Sequence, residues 1–480
     1  MADSESGRGF LTINMDERKL SIVVFSLFFS WILAFPFEGQ VLYALARRHD
    51  FDPQAMVFTL IAAHFTGLFL CGFFIKTMKT ARGLMLFSSI LCLLATGLSF
   101  FPPSIIWRVI LVSSSFWAGG CVAAWGFYFK SGTPSNERIK TAADVLIYSN
   151  MLMIFVNMTA IHLSPYAGLG LSMFMLGGAF LFVVRLPALA QAVPEPRPGQ
   201  GKKRAHVAKP LVFLCLFIVI ITFNSGLMYQ VLNPAYAHHQ WLVSWYWAVP
   251  YIVVLYVMKN LPGRTNRSYI LYIAIAMIGF SFISFMTFDR SAASYLLVNT
   301  LMLGACGVYD LFWWSILGEM LDLDKNPAKI LGAGLSANVL GVLLGGLTGS
   351  FITAAEIPGH NSSALALAVV CVTLAILPPL HKHLSSLLEN HAYLTAVEMP
   401  SSGQNGAKEN FTLDGRLTDR ENEIAALLFK GKTYRMIAGE LHLSENTVKT
   451  HVKNIYAKLN VGSKMELANM MLEKGRLNPH

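Results

Sequence analysis

The chain has 480 residues, 54% of them hydrophobic and only 13% charged, with a formal net charge of +10 and a mean hydropathy of +0.52. That balance excludes an ordinary soluble globular protein and a disordered polyelectrolyte, and it points to a polytopic membrane protein. In such a chain a basic excess mixes membrane topology with nucleic-acid affinity, so it does not by itself indicate DNA binding.

Residues 1–19 form a polar tail with both charge signs and no small-residue cleavage site, so no signal peptide is expected. Twelve apolar stretches follow, at roughly 20–42, 54–75, 83–101, 105–129, 144–163, 166–186, 210–232, 241–258, 268–288, 293–318, 331–353 and 363–380. Each is long enough to cross the hydrocarbon core of a bilayer. They divide into two sets of six, 20–186 and 210–380, around a Pro/Gly-rich basic loop at 187–209. Gln40-Val41-Leu42 is echoed by Gln230-Val231-Leu232, and Gly119-Gly120-Cys121 by Gly304-Ala305-Cys306. Near-constant offsets of this kind are what two parallel six-helix repeats would leave.

Loop charge sets the orientation. With the N-terminus inside, the inward segments before the tail hold nineteen Lys and Arg, and the outward loops hold three, Arg47, Arg48 and Arg290. The asymmetry places both termini on the cytoplasmic side. The layout of residues 20–380 resembles the major facilitator superfamily. That superfamily's motif between spans two and three survives here only as Gly72 with Lys76, Lys79 and Arg82.

Polar groups are costly inside a bilayer, so they are the best pointers to a ligand site. Glu38 and Arg108 fall at similar depth near the outer side and could pair, while Asp310 lies deep in span ten beside Tyr309. Asn224 and Gln230 add hydrogen-bonding capacity, as do Asn150, Asn157, Asn299 and Asn338. Trp125 heads a group of aromatic residues that could line a cavity, with Trp117, Tyr128, Trp245 and Trp247. The competing reading is helix-to-helix hydrogen bonding for the amides and interfacial anchoring for the tryptophans. Gly341, Gly345 and Gly349 form a small-xxx-small ladder read as a packing device. The six cysteines lie in predicted spans without metal-ligand spacing, so packing is their expected role.

Residues 381–415 read as a cytoplasmic linker, helical at first and then Gly/Ser-containing. Residues 416–480 are of a different kind. Thr418…Glu421 has the form of a capping box, opening a helix with Ile424, Leu427 and Leu428 inward and Gly431 at its end. A second helix spans about 433–441, with Ile437, Ala438 and Leu441 inward. Ser444 caps a third helix ending near Leu459, whose Val448, Val452, Ile455 and Leu459 recur at helical spacing. Its other face carries Asn446, Lys449, Thr450 and Lys453. Ser463…Glu466 is a second capping box, opening a fourth helix whose apolar stripe includes Met471. Two helices joined by a tight turn, the second polar and basic outward, have the form of a helix-turn-helix reader.

The pattern Leu417-Thr418, Arg420-Glu421, Gly431, Ile437-Ala438, Leu443-Ser444, Thr447-Val448-Lys449, His451, Asn454-Ile455, Lys458-Leu459 and Leu467 resembles a LuxR-type (GerE-like) helix-turn-helix domain. The resemblance implies that the third helix reads DNA and the fourth pairs with a second copy. It puts base or phosphate contacts on Lys449, Thr450 and Lys453, and backbone contacts on Thr447, His451 and Lys458. The chain departs from the family at Tyr434-Arg435-Met436, where Asn-Lys-Glu is usual, and at Lys464, where Arg is usual.

The sequence therefore reads as an all-α protein, a twelve-span bundle of two six-helix repeats followed by a four-helix helix-turn-helix domain. Its expected role is a one-component regulator in a bacterial inner membrane, sensing a small molecule and binding double-stranded DNA as a dimer. The alternative is a secondary transporter whose tail regulates its own operon. No phosphate-binding loop, zinc motif or nucleophile–base set is present in the sequence, so no enzyme activity, cofactor or metal is expected.

Overall fold

The computed structural model describes residues 15–37, 39–188, 207–262, 267–355, 359–385, 388, 417–429, 432–441, 443–461 and 466–467. The regular elements among them are all helical, in two compact units, Met1–Val397 and Glu398–His480.

The first unit opens with a departure from expectation. The apolar stretch at 20–42 is not one span but two helices, α1 (Glu17–Ala34) and α2 (Gln40–His49). Pro36 has no N–H with which to continue the ladder of α1. At Gly39 an added Cβ would sit 1.9 Å from the Ala34 carbonyl oxygen, so the fold-back needs glycine. The first half continues with α3 (Gln54–Phe74), α4 (Met78–Leu98), α5 (Ile105–Gly132), α6 (Arg138–His162) and α7 (Pro165–Val183). The second half holds α8 (Ala208–Leu227), α9 (Gln240–Tyr246), α10 (Val249–Asn260), α11 (Ser268–Thr287), α12 (Ala292–Met320), α13 (Pro327–Ala354) and α14 (Gly359–Ser385). Counting α9 with α10, eleven segments among the described residues are long and apolar enough to cross a membrane, and α1 with its charged first turn is not among them.

After Leu227, α8 widens into a π-helical turn, Met228–Leu232. Gln230 lies in that turn and Gln40 opens α2 at the break after α1, so the echoed triplets mark irregular points in both halves. Paired interruptions of this kind in corresponding spans point towards a binding site. Other boundaries moved for local reasons. α6 starts at Arg138 rather than 144, because its polar first turns are held by partners across the bundle. Asn326 caps α13 by accepting the Lys329 N–H (3.2 Å), which starts that helix at Pro327. α14 runs past residue 380 to Ser385, through Pro378 and Pro379.

The glycine ladder packs α13 on α8. At Gly345 an added Cβ would lie 2.0 Å from the Phe223 carbonyl oxygen, so the two backbones touch only because no side chain intervenes. α13 also crosses to the first half, where Gly332 approaches the Leu68 carbonyl. The outer surface is apolar, with Phe74, Ile105, Leu163 and Phe174 more than three-quarters exposed, as a lipid-facing bundle requires. The six cysteines are free thiols, three of them buried.

The second unit contains α15 (Asp419–Phe429), α16 (Tyr434–Glu440) and α17 (Glu445–Leu459). They close on a core that includes Ile424, Leu428, Ile437, Val448, Val452 and Ile455. Leu427 and Leu441, expected inward, are half-buried at its rim. The predicted starts are capped as anticipated. Thr418 Oγ1 accepts the Glu421 N–H (3.3 Å) while Glu421 accepts the Thr418 N–H (2.8 Å), and Ser444 Oγ accepts the Thr447 N–H (3.0 Å). α17 stops at Asn460, which adopts the left-handed conformation at φ 53°. Gly431 and the expected fourth helix lie outside the described residues, except for Glu466 and Leu467; Leu467 is buried in the same core.

Candidate DNA-binding face and central cavity

On α17 the 3.6-residue period separates two faces. Val448, Val452 and Ile455 are buried, and Asn446, Lys449, Thr450 and Lys453 are exposed together on the opposite side. Lys449 forms only an exposed i,i+4 pair with Glu445 (3.2 Å), an interaction weak enough to be exchanged for a phosphate. The hydroxyls expected at DNA are already used locally. Thr450 Oγ1 donates to the Asn446 carbonyl (3.0 Å) and Thr447 Oγ1 lies 2.7 Å from the Ser444 hydroxyl. His451 is half-buried.

Lys458, expected at the DNA backbone, donates to Glu421 Oε2 (2.7 Å), bracing the last turn of α17 against the first turn of α15. Arg420 has a similar structural role, donating to the Leu441 carbonyl at the end of α16 (2.7 Å). The hydrogen bond from Lys458, with those from Thr418, holds the Glu421 carboxyl below the usual carboxylate range. A depressed folded value means Glu421 stabilises this domain fully above its unfolded value of about 4.3, and that the contribution disappears as pH falls through the lower folded value. Glu421→Gln should therefore destabilise the domain at pH 7 and narrow its loss to wild type as the pH drops towards 3. Thermal unfolding across that range checks it; a deficit independent of pH would contradict the pairing.

In the first unit, α1, α3, α5 and α6 face α8, α10, α12 and α13 across a cavity of about 130 Å³. Its polar lining includes His64, Asn150, Ser225, Tyr251, Asp310 and Asn338. Tyr251 donates its hydroxyl to Asp310 Oδ2 (2.6 Å). His64 Nδ1 donates to the Ser115 carbonyl (3.2 Å), so in the neutral ring Nε2 keeps its lone pair. Phe29, Tyr229, Trp247 and Trp314 supply aromatic walls. A smaller chamber of about 10 Å³ shares Ser225, Cys306 and Asp310 with the cavity and adds Asn224, Tyr309 and Trp313. Asn224 is buried with neither side-chain polar atom hydrogen-bonded, and the Trp313 indole N–H also lacks a partner. The chamber has room for about one water, which such groups would hold.

Clasps join the two halves at both ends of the cavity. Where α6 begins and α12 finishes, Arg138 donates to both Asp322 carboxylate oxygens (2.7 and 2.8 Å) and to the Gly318 carbonyl (2.7 Å). Lys259 pairs with Asp144, and Asn326 donates to the Gly72 carbonyl (3.0 Å), giving the residual loop-motif glycine a role in closing this end. Where α3 begins and α13 finishes, Gln54 Nε2 donates to Gln230 Oε1 (2.9 Å) and to Ser350 Oγ (2.8 Å).

The ligand-site expectations thus divide. Asp310 lines the cavity, Asn224 and Tyr309 line the chamber, and Tyr309 additionally donates to the Leu271 carbonyl (2.6 Å). Gln230 belongs to a clasp. Trp125 is not a lining residue; it is fully buried between Phe25 and Phe129, its indole N–H donating to Ser21 Oγ (2.9 Å). Arg108 is exposed near Ile105 and is not among the residues that line the cavity, because it lies off the side of α5 that carries the buried Trp107. Glu38 lies outside the described residues. His64 and Tyr251 were missed. A single ionisable ring in the middle of an apolar span could have flagged His64, whereas Tyr251 gave no signal distinct from an interfacial tyrosine.

The model of the bacterial regulatory proteins of the luxR family (GerE) matches residues 416–471. These residues are a LuxR-type helix-turn-helix domain. The chain is 36% identical, across 96 residues, to the uncharacterized response regulatory protein YgeK of Escherichia coli K12, covering 20% of this chain and 63% of that one. It is 37% identical over 97 residues to the transcriptional activator protein ExaE of Pseudomonas putida, covering 19% and 44%. With the HTH-type transcriptional regulator MalT of Klebsiella pneumoniae it shares 40% over 50 residues, covering 10% and 6%. The chain thus spans less than two thirds of the length of these relatives. The membrane helices match solved transporters. The human organic anion transporter MFSD10 superposes with TM-score 0.59 at 15% identity, over 75% of this chain and 99% of that one. A bacterial homologue of the iron transporter ferroportin gives 0.58 at 14%, over 77% and 99%. The major facilitator superfamily proton:xylose symporter XylE gives 0.52 at 13%, over 75% and 95%. At these identities the likeness is one of fold: a major-facilitator-like bundle precedes the LuxR-type domain.

Proposed function

We propose that this protein is a one-component transcription regulator of the bacterial inner membrane, with both termini cytoplasmic. In this reading the transporter-like bundle binds a small molecule in the Asp310 cavity and the LuxR-type domain binds double-stranded DNA. The observation that carries it is the presence in one chain of a polar-lined cavity between the two halves of the helical bundle and a LuxR-type domain with an exposed basic third helix. The excess of Lys and Arg in the inward loops supports the orientation. A ligand that binds one rocking state of the halves more tightly shifts their equilibrium, and differential affinity is the whole of its leverage. No enzymatic step enters. On DNA the domains pair two-fold on a roughly palindromic operator, with half-sites about one helical turn apart.

The test pairs transcription with transport. Asp310→Asn should alter ligand-dependent expression from a reporter, while wild-type protein in vesicles shows no gradient-driven accumulation of the same compound. Concentrative uptake together with unchanged regulation in Asp310→Asn would favour a transporter with a regulatory tail. Footprinting on intact and half operators tests the pairing; protection of one half-site without cooperativity would exclude it.

A further inference from the structure

The central cavity holds one carboxylate, Asp310, and among the described residues that line it there is neither lysine nor arginine. We propose that the cavity takes a small organic cation, an ammonium group carried on an apolar body about the size of one six-membered ring. This deepens the sensor reading above and rests on it for its consequence in transcription, but not for binding itself.

Four observations converge. Charge comes first: a ligand anion would be desolvated beside Asp310 with no basic side chain to meet it, whereas a cation meets a carboxylate already ordered by the Tyr251 hydroxyl at 2.6 Å. Asn224 and the Trp313 indole N–H, both without protein partners, border the chamber that shares Asp310 and can hold about one water against it.

Hydrogen-bond polarity is the second. His64 spends its Nδ1–H on the Ser115 carbonyl, and Asn150 spends one amide N–H on the Leu146 carbonyl at 2.8 Å. What remains on His64 is an acceptor, Nε2, and Asn150 keeps its acceptor Oδ1 beside a second amide N–H. Those acceptors and the Asp310 carboxylate suit an ammonium, which has three donors and no acceptor. Third, Trp247, Trp314 and Tyr229 present aromatic walls, whose faces attract cations. Size is the fourth. A cavity of about 130 Å³ is close to the engineered cavity of about 150 Å³ that accepts benzene, so it admits one ring with a short substituent.

The test uses three matched probes, benzylamine, benzyl alcohol and benzoate, titrated at pH 7 into purified full-length protein in detergent micelles. Binding is read by calorimetry and by the rise in thermal unfolding midpoint. Benzylammonium should bind at least about tenfold tighter than benzyl alcohol, with benzoate weakest. Asp310→Asn should abolish that preference while benzyl alcohol affinity stays within about threefold. The ranking on wild-type protein decides by itself if Asp310→Asn does not fold. Benzoate binding as tightly as benzylammonium, binding by none of the three, or an unchanged ammonium preference in Asp310→Asn overturns the proposal. Binding with the expected ranking but without any effect on operator occupancy would leave the ligand class standing and remove the sensor reading.

Discussion

Arg138→Ala should be among the most destabilising single substitutions in the membrane unit, at about 2–4 kcal/mol. The Arg138 side chain is only 4% exposed, and it joins α6 of the first half to Asp322 and the Gly318 carbonyl of the second through three charge-assisted hydrogen bonds. Truncation leaves the carbonyl of Gly318 and the Asp322 carboxylate without that donor. The two partners are not equivalent, because Asp322 is 48% exposed and water can replace much of what it loses. Asp322→Asn should therefore cost less than Arg138→Ala. Arg138→Lys should recover only part of the loss, since an ammonium cannot reproduce the two-pronged geometry. Thermal unfolding in detergent measures all three. Equal midpoints for Arg138→Ala and wild type would show that this end of the bundle is held by other contacts.

Lys449→Ala and Lys453→Ala should each weaken operator binding by about 1–3 kcal/mol if the side chain reads a base, or lower the salt dependence of binding if it meets phosphate. Both lysines are exposed on the face of α17 opposite Val448, Val452 and Ile455, so neither substitution disturbs the core. Lys458→Ala should behave differently. Its partner is the buried Glu421, so its effect should appear as a loss of domain stability more than as a change in salt slope. Gel-shift titrations of the full-length protein in micelles over a salt series, with unfolding curves alongside, separate the two classes. Wild-type affinity in both Lys449→Ala and Lys453→Ala would remove α17 as the reading helix.

What could be read in the sequence is what local chemistry dictates. Apolar stretches of bilayer length gave the spans, since no other backbone arrangement in a continuous apolar segment satisfies its hydrogen bonds in lipid. Thr418, Thr433 and Ser444 sit at the starts of α15, α16 and α17 because a hydroxyl can accept an otherwise orphaned N–H there. The 3.6-residue period of Val448, Val452 and Ile455 fixed which side of α17 is left for DNA.

Long-range geometry was not legible in the same way. A charge inside or near a span advertises a cost but not its partner. Asp310 met Tyr251, 59 residues away, at the cavity, while Arg108 turned outward. Trp125 looked like a lining residue by type, yet the crossing of α1 and α5 buried it between Phe25 and Phe129. Lys458 gave no sign in the sequence of its partner Glu421, 37 positions earlier in the chain. Composition, periodicity and capping act between neighbours and so are written along the chain. Which carboxylate meets which hydroxyl, and which face of a helix meets a cavity, depends on how helices cross, and only the tertiary packing decides that.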